Sequence, residues 1–130
     1  MSDEKTILLI DDDHDLVRGA SVRLRRAGYR TISADNGQHG LESASENHPD
    51  AILLDLRMPV MDGLTALREL RNRADTQRIP VVMLSASPKS QTDALDAGAR
   101  FFLSKPYDGE ALLAAVDAAV AEAKQSNEAE

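Results

Sequence analysis

The chain has 130 residues, 42% of them hydrophobic, with a formal net charge of −7 and no cysteine. That length suits one compact domain with one core, and no apolar run approaches the roughly 20 residues a membrane span needs. Without cysteine there is no disulfide framework, thiolate nucleophile or Cys-based zinc site, and the acidic balance disfavours direct nucleic-acid contact, which rests on Lys and Arg neutralising phosphates.

The opening MSDEKT has mixed charge and lacks the basic and apolar regions of a signal peptide, so a cytoplasmic location is expected. Ile7–Ile10 reads as a buried strand and runs straight into Asp11, Asp12 and Asp13. Leu16, Val17, Ala20, Leu24 and Ala27 then recur at helical spacing, and Gly28 follows as a stop. Residues 29–34 form a more polar strand suited to a sheet edge. Leu41 and Ala44 carry a weaker helix, broken at Asn47, His48 and Pro49. Ala51–Leu54 is a second buried strand, and Asp62 caps a helix carrying Leu64, Leu67 and Leu70. Val81–Leu84 is a third, followed by a short helix within SPKSQTDALDAG that ends at Gly98. Phe101–Leu103 is the last strand. Asp108 then caps a helix whose Leu112, Leu113, Val116, Ala119, Val120 and Ala123 share one face. One domain over residues 1–124 and a frayed polar tail over 125–130 are expected.

Strand and helix alternate throughout, which implies a parallel sheet covered on both faces. In such sheets the chemistry lies at the carboxyl ends of the strands. There the sequence places Asp11 and Asp12, Asp55, Ser85 and Lys105. Clustered carboxylates in a crevice need a cation, and oxygen-only ligands favour a hard ion such as Mg²⁺. A lysine can balance a phosphoryl oxygen, a serine can hydrogen-bond another, and an aspartate can attack phosphorus to give an acyl phosphate. No Ser–His–Asp arrangement is suggested. The pattern points to phosphoryl transfer.

IDDDHD, ILLDLRMPVMDG, VVMLSA and AGARFFLSKP together resemble the receiver domain of two-component response regulators, across nearly the whole chain. The resemblance implies a flavodoxin-like α/β fold with a five-stranded parallel sheet in the order 2-1-3-4-5 and helices on both faces. It implies Asp55 as phosphoacceptor, loaded from a histidine kinase or histidine phosphotransfer protein. Asp11, Asp12, Asp55 and the Arg57 main-chain carbonyl are implied as Mg²⁺ ligands. Lys105 would contact the phosphoryl group through a loop with a cis Lys105–Pro106 bond. Ser85 and Phe102 would form the switch, the serine moving to the phosphate and the phenyl ring turning inward. The implied role is a signalling phosphoacceptor with modest self-phosphorylation and self-hydrolysis, acting on another protein; a stand-alone receiver is the natural expectation, and a piece of a longer regulator reads the same.

Asp13 matches no site position in that pattern and reads as a helix cap. Pro59 and Gly63 shape a tight loop. His14, His39 and His48 read as surface residues, and the basic clusters at 23–30 and 68–73 as solvated helix faces. Beside familiar receivers, which this chain resembles, the segment from Ser85 to Gly98 is about two residues shorter, and the missing length falls in the fourth helix or the loop before it. Two other readings compete. ILLIDDDHD also fits a haloacid-dehalogenase-like phosphatase with Asp11 as nucleophile and Asp13 as acid/base, and a docking module that never turns over phosphate is the other.

Overall fold

The apolar run beginning at Ile7 forms β1 (Thr6–Ile10) in a computed structural model that describes residues 4–58 and 60–128. Four more short strands follow: β2 (Arg30–Ala34), β3 (Ala51–Asp55), β4 (Val81–Ser85) and β5 (Phe101–Ser104). All pair in parallel in the order β2-β1-β3-β4-β5. β1, β3 and β4 lie inside the sheet and are apolar along almost their whole length, as strands covered on both faces must be. The expected edge strand β2 is indeed at the margin.

The helices are α1 (His14–Arg26), α2 (Gly37–Asn47), α3 (Gly63–Asn72), α4 (Gln91–Asp96) and α5 (Gly109–Glu128). Leu8, Ile10, Ile52, Leu54 and Met83 point to one face, where they meet Leu41 of α2, Leu67 and Leu70 of α3 and Ala94 of α4. Ile7, Leu9, Leu53, Val82 and Leu84 point to the other, against Ala20 and Leu24 of α1 and Leu112, Val116 and Ala119 of α5. The period-2 alternation of each strand thus feeds two separate cores. Truncating a fully buried member such as Leu54 to Ala costs about 2–5 kcal/mol.

The helix boundaries follow local chemistry. Asp13, Asn36 and Asp62 cap α1, α2 and α3 through their side chains, and Asp108 accepts from the Ala111 N–H at the start of α5. Gly28 ends α1 at φ +99°, and His48 ends α2 in the left-handed region. The short helix expected before Gly98 is present as the six-residue α4, preceded by a 3₁₀ turn at Pro88–Ser90 and without a side-chain N-cap. Three expectations shift. Ala27 is the exposed cap of α1 rather than part of its buried stripe, because the chain turns there. Asp55 and Ser85 close their strands instead of following them, since Leu56 N–H donates to the Leu84 carbonyl and Lys105 N–H to the Ser85 carbonyl. α5 continues to Glu128, past the expected boundary at residue 124.

Candidate active site at the carboxyl edge of the sheet

Adjacent strands β1, β3, β4 and β5 deliver Asp11, Asp55, Ser85 and Lys105 to one edge. The register sets Asp55 opposite Leu84 and Ser85 opposite Ser104. Asp11 is 3% exposed and Asp55 6%, and both would be costly as isolated charges. Lys105 meets both. Its Nζ lies 3.1 Å from Asp11 Oδ2 and 2.9 Å from Asp55 Oδ1. The Lys105–Pro106 peptide is cis, as expected, and carries the chain from β5 into the loop before α5.

Asp12 is exposed at the mouth, and carboxylate oxygens of Asp11, Asp12 and Asp55 lie within 4.8 Å of one another. One ammonium cannot balance three carboxylates. An oxygen-only cluster with excess negative charge and an exposed member is suited to a hard divalent cation that keeps part of its water shell. Burial, supported by the charges of Asp11 and Asp12, holds the Asp55 carboxyl above the ordinary carboxylate range although Lys105 pulls the other way. For Lys105 the balance is reversed. Burial disfavours its charge, but hydrogen bonds to Asp55 and Asp11 prevail and raise its pKa.

The three aspartates after β1 divide their roles. Asp13 Oδ1 accepts from the Leu16 N–H at 3.1 Å, as a helix cap should. Its own N–H donates to Asp11 Oδ1 at 3.0 Å, so both oxygens of Asp11 are engaged. Ser85 Oγ accepts from the Ser87 N–H at 3.0 Å in a tight turn. Phe102, opposite Met83 in the sheet, is half-buried against the core that includes α4. Arg57 is exposed in the loop after β3, and Pro59 lies outside the described residues.

Two features of this site escape a reading of motifs. Gly63, expected only to shape a loop, is the first residue of α3 and packs on the phosphoacceptor candidate's backbone. A Cβ there would stand 2.4 Å from the Asp55 carbonyl oxygen and 2.7 Å from the Leu56 Cα. The Asp-Gly pair marks a helix start, but nothing local reveals what lies beneath it. Tyr107, two residues beyond Lys105, has its phenol pKa raised by burial, with Asp11, Asp13 and Asp55 adding to the effect and Lys105 opposing it.

Comparison with known proteins agrees with this geometry. Residues 7–117 match the family model described as the response regulator receiver domain. The transcriptional regulatory protein PrrA of Mycobacterium tuberculosis is 40% identical over 114 residues, covering 86% of this chain and 48% of that protein. Protein PilH of Pseudomonas aeruginosa is 34% identical over 118 residues, covering 88% of this chain and 97% of that protein. The crystal structure of the receiver domain of sensor histidine kinase PA1611 from Pseudomonas aeruginosa, with a magnesium ion in its active-site cleft, superposes with a TM-score of 0.84. Its identity is 31%, covering 91% of this chain and 98% of that one. The chain spans about half the length of PrrA and of several other curated relatives. The matched span, the 2-1-3-4-5 sheet and the acidic edge lead to one conclusion: the chain belongs to the receiver-domain family of two-component response regulators.

Proposed function

We propose that this receiver accepts a phosphoryl group on Asp55 from a phosphohistidine of a histidine kinase or histidine phosphotransfer protein. The observation that carries the proposal is the contact of Lys105 Nζ with Asp55 Oδ1 beside Asp11 and Asp12. A carboxylate oxygen of Asp55 attacks phosphorus in line. The new P–O bond forms as the P–N bond breaks, and the electron pair leaves with the imidazole, which takes a proton from water. Lys105, in contact with Asp55 Oδ1, follows the oxygen charge from the carboxylate to the phosphoryl group in this reading. Asp11, Asp12, Asp55 and the Arg57 carbonyl would hold Mg²⁺, which supplies charge neutralisation and orientation of the phosphoryl oxygens. The magnesium ion of the PA1611 receiver supports that choice of metal.

The switch follows from Ser85. To reach the phosphoryl oxygen, its hydroxyl must leave the turn made with the Ser87 N–H, and half-buried Phe102, on the neighbouring strand β5, is the ring that turns inward in response. The result is a change in a docking surface near β5, read by another protein in the cytoplasm rather than by nucleic acid. Self-phosphorylation from small donors and self-hydrolysis are slow accompaniments of the same chemistry.

Incubation with acetyl phosphate and Mg²⁺, followed by peptide mass spectrometry, tests the assignment. The acyl phosphate is expected on Asp55, lost in Asp55→Asn and retained in Asp11→Asn. Label that survives Asp55→Asn and disappears with Asp11→Asn would overturn it. So would the absence of label from both acetyl phosphate and phosphohistidine proteins.

A further inference from the structure

β2 is an edge strand, so among the described residues one side of its backbone has no partner strand. The Arg30 N–H donates to the Lys5 carbonyl, and the Ala34 carbonyl accepts from the Asp11 N–H. Residues 30 and 34 therefore address β1. By the alternation of a parallel ladder, the N–H and C=O groups of Thr31 and Ser33 face outward.

A groove of about 570 Å³ wraps this edge between α1 and α2. Its α1 wall carries Arg18 and Arg25 on one helical face, with Ser21 between them. Arg25 Nε donates to the neutral Thr31 hydroxyl, and Arg18 forms no ion pair among the described residues. The two carboxylates lining the groove are already engaged: Asp11 by Lys105 and Asp35 by His39. Among the described residues, two guanidinium charges without carboxylate partners thus flank an open strand edge in a chain of net charge −7. His39 and Ser43 form the opposite, polar wall.

We propose that this groove binds an extended acidic segment of a partner protein as an added strand on β2. Main-chain hydrogen bonds to Thr31 and Ser33 supply pairing, and alternate side chains of the added strand fall on opposite flanks. Those on the α1 flank are acidic and meet Arg18 and Arg25. Those on the α2 flank are small and polar, to match His39 and Ser43. Asp11 lines one end of the groove, but the pairing contacts lie on β2 and the charge contacts on α1, and neither uses the Asp55 chemistry.

The probe is a capped hexapeptide of alternating glutamate and threonine, titrated into the full chain at low salt and followed by amide NMR and hydrogen exchange. Saturable binding with new protection at Thr31 and Ser33 is expected. Arg18→Glu/Arg25→Glu is expected to weaken it about tenfold or more, as attraction becomes repulsion. Acetyl phosphate labelling of Asp55 checks that this variant is folded. Should it not fold, Arg18→Gln/Arg25→Gln carries the same comparison with a smaller loss. Peptides N-methylated at every glutamate or at every threonine separate pairing from charge, because one of the two must fail to bind. Equal binding of both, insensitivity to the arginine changes or absence of binding would overturn the proposal. Equally tight binding of a short DNA duplex would overturn it too, by revealing a general polyanion site.

Discussion

The Lys105 ammonium lies 2.9 Å from Asp55 Oδ1 and 3.1 Å from Asp11 Oδ2, bridging carboxylates from two neighbouring strands. Lys105→Met removes the one positive charge in contact with Asp55 at this edge among the described residues. Phosphoryl transfer to Asp55 is expected to slow by about 10²-fold or more, the scale of losing an electrostatic contact to a transition state. The loss should appear in the rate of labelling by acetyl phosphate at saturating Mg²⁺. An unchanged rate would remove Lys105 from the mechanism.

Gly63 seals α3 against the backbone of Asp55, and its N–H donates to the Leu56 carbonyl at 2.7 Å. Gly63→Ala forces backbone apart rather than a flexible side chain. A destabilisation of about 1–3 kcal/mol is expected from this overpacking, measurable by urea unfolding. Labelling of Asp55 should slow in parallel, since its carbonyl must move. A variant as stable as the parent would show that the contact is slack.

Val60 sits in the loop after β3 with φ +72° and is 84% exposed. A β-branched residue in the left-handed region is strained, and exposure gives it little burial in return. Val60→Gly is expected to stabilise the fold by about 1 kcal/mol, because glycine adopts this conformation without a Cβ clash. Urea unfolding decides the sign. A loss of stability would mean that the valine makes contacts outweighing its strain.

Burial holds the Tyr29 phenol well above its ordinary range, and the hydrogen bond to Asp117 adds to the shift. A pKa raised by folding gives stability that is full below the unfolded value of about 10 and is lost as pH climbs through the folded value. Tyr107 is raised as well, chiefly by burial, so neither of the two tyrosines should ionise normally in the native state. Phenolate absorbance is expected to rise only above that ordinary pKa, and Tyr29→Phe should flatten the alkaline decline in stability. Native-state titration of both phenols near their ordinary value would contradict this.

The run IDDD illustrates how far a sequence can be read. Asp13 is a helix cap because its neighbours form a helix, and that much is local. The same observation weighs against Asp13 as the acid/base of a phosphatase, and the receiver family match goes against that alternative as a whole. Asp11 was legible as a strand-end carboxylate, but its two engaged oxygens were not. The importance of Gly63 was equally hidden, because the backbone it touches belongs to another element.

By itself the sequence determined the alternating elements, the capped starts of α1, α3 and α5 and the candidate set Asp11, Asp12, Asp55, Ser85 and Lys105, since periodicity and capping act over a few residues. Tertiary structure decided which of these touch. Lys105 and Asp55 are 50 positions apart, and only the order β1-β3-β4-β5 and its register bring them into contact. It also decided which strand was left with an open edge, and so placed Arg18 and Arg25 beside unpaired backbone. Local preferences act along the chain, whereas charge balance and close packing depend on distances that exist only after the sheet has formed.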